Sequence, residues 1–303
     1  MKTKKINSTD QSISFSTIIP YLLITFGITW GIIALYIFLP DQTVSLFGQI
    51  TGNHPLFFLA TYSPAIAALG IILMKVRWNG TKRFLGRMLL WRAPAPWYLF
   101  ILLGVPAMFY LGAIYKGLSL SELFPVSSLG VYLVSLLLFA IKGPVEEIGW
   151  RGYALPMLQR KMSPFFAAII VGIVWGFWHL PAFFLSGVPQ SAWSFMPFFV
   201  GTIALSIFAT GLFNASRGSI LLPALLHLQL INPLWPDAQP YDTVVVVIAA
   251  SIILWLNRKT FFRKGDGVTI IIPDTETNQS YTREMDYQPA NSMFSQAENE
   301  PVK

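Results

Sequence analysis

Residues 129–152 read Leu129-Gly-Val-Tyr-Leu-Val-Ser-Leu-Leu-Leu-Phe-Ala-Ile-Lys-Gly-Pro-Val-Glu-Glu-Ile-Gly-Trp-Arg-Gly152. From Tyr132 to Ile141 only Ser135 is polar, and no strand-like alternation interrupts the run. A stretch of this kind is a membrane-spanning helix or the deep core of a large protein, and the rest of the chain decides between them. Of 303 residues, 54% are apolar and 12% charged, against about 25% charged in an ordinary soluble domain. Mean hydropathy is +0.57. A soluble globule, a disordered chain and a fibrous repeat are all excluded. With no cysteine, disulfides, thiolate metal sites and cysteine nucleophiles are excluded as well.

Working outward from that stretch, a crossing needs about 20 mostly apolar residues. Eight runs are candidates, near 16–39, 55–75, 96–115, 129–150, 164–185, 193–214, 219–231 and 242–257, the fourth ending in charges and the seventh short for a full span. The expected fold is an all-α polytopic transmembrane bundle of about eight spans. The first run is too long for a signal-peptide core and lacks a small-residue cleavage site, so it reads as a retained span. Three regions are expected. Residues 1–128 hold N-terminal spans and a basic loop, residues 129–258 a catalytic membrane domain, and residues 265–303 a disordered acidic cytosolic tail.

Loop charges set the orientation. With a cytosolic N-terminus, the cytosolic segments hold Lys2, Lys4 and Lys5; Lys75, Arg77, Lys82, Arg83, Arg87 and Arg92; Arg151, Arg160 and Lys161; Arg217; and Arg258, Lys259, Arg263 and Lys264. The opposite loops hold Lys116 as their only Lys or Arg, together with Asp41, Glu122, Asp237 and Asp242. Every crossing obeys the positive-inside rule. The expectation is a multi-pass plasma-membrane protein with both termini cytosolic. The net charge of +7 is thereby explained without nucleic acid. Segment 75–92, with Trp78, Phe84, Leu85, Leu89, Leu90 and Trp91 among its basic residues, suits either an interfacial helix on the lipid surface or a solvated loop that fixes topology.

Few ionisable groups fall inside the apolar runs, and a group placed there is a functional candidate by default. Glu146 and Glu147 follow the quoted run; His179 and His227 lie in later ones, while His54 lies in a loop. Adjacent helical residues point roughly 100° apart, so the two glutamates serve different targets. Glu147 and Arg151, four apart with the acid first, form a pair on one face. Glu146 has no such local cation and turns into the bundle. Trp175 lies four residues before His179 on the same face, and Gly172 and Gly176 leave room for a neighbouring backbone. Asn232 follows His227 by five residues, a spacing that an irregular last turn before Pro233 can accommodate.

Glu146-Glu147-x-x-x-Arg151, the aromatic-x-x-x-His pattern ending at His179, and His227 with Asn232 resemble the CPBP family. These are the CAAX-type and bacteriocin-processing intramembrane proteases, also called type II CAAX prenyl endopeptidases. Gly149-Trp150-Arg151-Gly152, Trp178-His179-Leu180-Pro181 and Gly218-Ser219 match too, and the resemblance covers roughly residues 129–235. The family usually has Phe where this chain has Trp175, and its Asn or Asp falls four residues after the last histidine, where this chain has Ile231.

The resemblance implies an intramembrane endopeptidase acting on a membrane-associated or lipid-tethered peptide. Glu146 would activate water, and His179 would share that water or steady the oxyanion. His227 and Asn232 would complete the oxyanion environment, with Glu147 and Arg151 holding the geometry. No cofactor is demanded; zinc is the metal that Glu146, His179 and His227 would take, and the reading leans to a metal-free pair. Expected partners are a membrane peptide or protein substrate and membrane lipid. The competing readings are a non-catalytic immunity or scaffold protein that keeps the fold, and a proton-coupled transporter. With Glu146 and Arg151 near the cytosolic end of the fourth span, the site is expected to open toward the cytosol.

Overall fold

The computed structural model describes residues 13–125 and 128–273. Lys2, Lys4, Lys5 and the acidic residues from Asp274 onward lie outside the described residues. What is described is helical throughout, with no strand. Five helices are long and apolar enough to cross a membrane: α1 (Phe15–Phe38), α3 (Ala95–Lys116), α4 (Leu129–Gln159), α5 (Pro164–Phe184) and α6 (Phe195–Ala215). The bent pair Pro55–Thr61 and Ser63–Leu89, with 57° between its halves, is α2, and makes a sixth if the two halves are one span. Two shorter apolar helices, α7 (Leu221–Leu230) and α8 (Tyr241–Leu256), bring the apolar helices to the eight runs expected. Leu23, Leu133 and Ile248 stand outward, more than half exposed, as lipid-facing residues do. Helices suit this solvent because each satisfies its own backbone where no water is present.

Besides a small cluster around Ile33, Phe57 and Leu185, two buried clusters fill the bundle. One draws mainly on α1, α2, α4 and α5 and takes in Ile271 and Ile272; the other draws mainly on α3, α6, α7 and α8. Residues on both sides of position 128 therefore share one core. Small residues and hydroxyls hold the helices together. A Cβ on Gly172 would sit 2.7 Å from the Ile203 Cα of α6, and one on Gly149 would strike the Pro64 carbonyl of α2. The Thr29 hydroxyl lies 2.7 Å from the Ala60 carbonyl and 2.6 Å from the Ser63 hydroxyl, and accepts the Trp178 indole N–H at 2.9 Å. Three spans are thus fixed beside His179.

The structure corrects three expectations. The fourth span does not end at 150: it breaks after Lys142, resumes at Glu146, and runs through a π-helical turn at Trp150–Ala154 to Gln159. Its charges turn inward to protein partners instead of marking the membrane surface, so Arg151, counted above with the cytosolic residues, is fully buried. Residues 267–273, assigned above to a disordered tail, are docked against the bundle: Gln159 donates to the Val268 carbonyl at 2.8 Å and Arg160 to the Thr269 carbonyl at 3.0 Å. The apolar run Val268-Thr-Ile-Ile-Ile272 supplies the driving force, with Ile271 and Ile272 wholly buried. Arg87, counted above as a loop charge, is 2% exposed and is held by backbone carbonyls. Around it, segment 75–92 is amphipathic: Phe84 is buried while Trp78, Leu89 and Trp91 project outward.

Candidate active site

The break in α4 comes from Gly143 and Pro144. Proline has no N–H to continue the ladder. The chain turns through tight bonds from the Glu146 amide to the Gly143 carbonyl (3.0 Å) and from the Glu147 amide to the Pro144 carbonyl (3.2 Å). Gly143 also makes room for α7: a Cβ there would strike Ile231 and sit 3.1 Å from His227 Nε2. The turn delivers both glutamates to the interior, 4% and 1% exposed.

Glu147 is the shared partner of two cations or donors. Its Oε1 accepts from Arg151 Nη1 at 3.1 Å, the expected pair, and lies 2.8 Å from His227 Nδ1. The Arg151 guanidinium also covers the Trp175 ring at 4.6 Å from its centroid, a cation–π contact in a desolvated site. Among the described residues, Glu146 has no ion-pair partner. Its Oε2 accepts the Trp175 indole N–H at 2.9 Å. Lys142, one turn earlier, donates to the Gly52 carbonyl at 3.0 Å.

His179 follows the last α-helical residue of α5, Trp178. Its Nδ1 lies 2.8 Å from the Trp175 carbonyl. A carbonyl can only accept, so this ring carries its proton on Nδ1 and leaves Nε2 as a free lone pair. The carboxylate of Glu147 likewise fixes a proton on Nδ1 of His227, leaving its Nε2 for other contacts. Fixing one ring nitrogen to define the other is how proteins set histidine chemistry. Trp175 is the residue the sequence undervalued: its spacing placed it on the face of His179, but its bond to Glu146 crosses between helices. Its ring lies 5.6 Å from His179 and 5.5 Å from His227.

Glu146, Trp175, His179, His227 and Asn232 line one largely apolar cavity of about 490 Å³. Asn232 stands past the end of α7, with its amide donating to Gln229 at 2.9 Å and its oxygen accepting the Leu234 N–H at 3.0 Å. It makes no hydrogen bond to the glutamates or histidines. His54 is structural: Nδ1 accepts the Leu56 N–H at 3.1 Å and Nε2 meets the Phe47 carbonyl at 2.8 Å. Among the described residues, no three His, Asp or Glu side chains gather as a metal-binding group. The donors named above for zinc therefore do not fit a three-ligand centre, and no step below runs through a metal.

Residues 127–231 match the family model of type II CAAX prenyl endopeptidase Rce1-like proteins. This part of the chain is similar to the domain that defines that family. Among curated proteins the chain is similar to CAAX prenyl protease 2 of Methanococcus maripaludis, 33% identical over 183 residues. The alignment covers 56% of this chain and 65% of that protein. The Rce1-like region begins just before α4 and ends one residue after α7. It thus contains the glutamates and both histidines, and Asn232 falls immediately beyond it.

Proposed function

We propose that the chain is an intramembrane endopeptidase that hydrolyses a peptide bond in a membrane-associated or lipid-tethered substrate. One observation carries this reading: a buried carboxylate held by an indole N–H and two imidazoles, each bonded through Nδ1, line the same cavity. Glu146 takes a proton from a water molecule, and the hydroxide oxygen bonds to the substrate carbonyl carbon. His179 Nε2 accepts the second hydrogen of that water and aims it. His227, as an imidazolium over Glu147, donates from Nε2 to the developing oxyanion. Collapse breaks the C–N bond, and the proton held by Glu146 passes to the leaving amine. Each piece is ordinary general acid–base and oxyanion chemistry. The plasma membrane and cytosolic termini are part of the proposal, supported by the basic segments on one face.

The test is product peptides from membranes expressing wild type, His227→Ala or Asn232→Ala. His227→Ala is expected to lower product formation by about 100-fold or more, as removal of one oxyanion donor does. Asn232→Ala is expected to cost roughly tenfold or less, because its amide is already engaged by Gln229 and Leu234. Undiminished products from His227→Ala would refute the mechanism. Equal losses from both variants would give Asn232 the oxyanion role instead.

A further inference from the structure

The connections between the eight apolar helices gather into two groups, the members of each touching one another, one at each face of the bundle. One face carries the α2–α3, α4–α5 and α6–α7 connections and the segment after α8, tied together by Arg87 to Gly218 and Ile271 and by Arg160 to Ile13 and Thr269. The other carries the α1–α2, α3–α4, α5–α6 and α7–α8 connections, where Lys116 donates to the Asp237 carbonyl at 2.9 Å and Trp193 to its carboxylate at 2.9 Å.

The two faces differ sharply in charge. Arg92, Arg160, Lys161, Arg217, Arg258, Lys259, Arg263 and Lys264 lie on the first, with Asp266 as its acid among the described residues. The second has Asp41, Glu122, Asp237 and Asp242 against Lys116, with Lys142 reaching up from α4 to Gly52. By the positive-inside rule the first face is cytosolic.

The cavity belongs to the second face. Gly52, Gln190, Trp193, Asp237 and Gln239, all from that face's connections, are among the residues that line it. Among the described residues, none from the basic-face connections lines it; Trp150, Tyr153, Phe84, Phe213 and the Arg87 clasp are buried in the core outside it. Glu146 is separated from the cytosolic end of α4 by thirteen residues, roughly 20 Å of helix.

We infer that the active-site cavity opens to the extracytosolic side of the membrane and takes a peptide presented there: the translocated segment or outer juxtamembrane stretch of a membrane-anchored protein. This rests on the peptidase reading for its chemistry and on charge and cavity geometry for its side. It reverses the cytosolic opening expected from the sequence, which followed from ending α4 too early. A cytosolic tail bearing a C-terminal lipid would approach the closed face.

The absence of cysteine makes the test direct. Asn53→Cys and Ser191→Cys place single thiols on exposed rim loops, Lys161→Cys and Lys264→Cys on the basic face, and Thr202→Cys inside the cavity. A membrane-impermeant maleimide is added to intact cells, and a small charged methanethiosulfonate is used for Thr202→Cys. The expected result is labelling of Asn53→Cys and Ser191→Cys from outside, labelling of Lys161→Cys and Lys264→Cys only after permeabilisation, and modification of Thr202→Cys from outside. The reverse pattern, or a cavity thiol reached only from the cytosol, would overturn the inference. Labelling needs no turnover, so a chain labelled as expected but without peptidase activity would refute the peptidase reading and leave the opening standing.

Discussion

Glu146→Gln is expected to reduce peptide hydrolysis by about 1000-fold, within the range that loss of a positioned general base produces, while the protein stays folded in the membrane. The carboxamide has nearly the shape of the carboxylate, and its oxygen can still accept the Trp175 indole N–H now made to Glu146 at 2.9 Å. No ion pair is broken, because Glu146 has none among the described residues. Only the capacity to take a proton from water is lost. The neighbouring substitution is the control. Glu147→Gln removes the charge that joins Arg151 and His227, and leaving a buried guanidinium unpaired costs about 3–5 kcal/mol. That variant is expected to lose yield and thermal resistance as well as activity. Product formation by purified protein in lipid, set beside its apparent melting temperature, separates the two. Wild-type turnover by Glu146→Gln would remove Glu146 from the chemistry.

The contrast between these adjacent glutamates also shows what could be read before the fold was seen. Glu147 with Arg151 was legible because helix geometry brings residues four apart together whatever surrounds them. The spans were legible because a bilayer leaves few ways to satisfy a backbone. Contacts between helices were not: nothing in local spacing ties Trp175 to Glu146 or His227 to Glu147, since those pairs are 29 and 80 residues apart. The extent of α4 was misread for a related reason. Charges after an apolar run look like a membrane surface until their partners on other helices are known. Composition misled at the C-terminal side too, where an acidic average concealed the short apolar run 268–272.

Arg87 carries the second large expected effect, on stability and not on chemistry. Its guanidinium donates to the carbonyls of Gly218 and Gly152, each at 2.8 Å, and of Ile271 at 3.1 Å. It sits between the rings of Phe84 and Phe213, 5.7 and 5.2 Å from their centroids. One side chain thus joins α2, α4, the α6–α7 turn and the segment after α8. Gly218 meets it with φ +92°, and a Cβ there would crowd Val268 at 3.0 Å, so the turn is shaped around the guanidinium. Arg87→Ala would leave three carbonyls without this donor in a site too packed to hydrate them well, at about 1–3 kcal/mol each. Arg87→Lys would keep the charge but lose the planar fork that reaches several acceptors at once. Both variants are expected to lower the apparent melting temperature, Arg87→Ala by roughly 10 °C. Truncation after Gly265 should reproduce part of that loss by removing Ile271 and Ile272 from the core. Because truncation and Arg87→Ala act on the same contact, their combined effect should fall short of the sum. Full additivity would mean the segment and the arginine stabilise the bundle separately; an Arg87→Ala protein as heat-resistant as wild type would mean that the buried guanidinium does not hold these helix ends together.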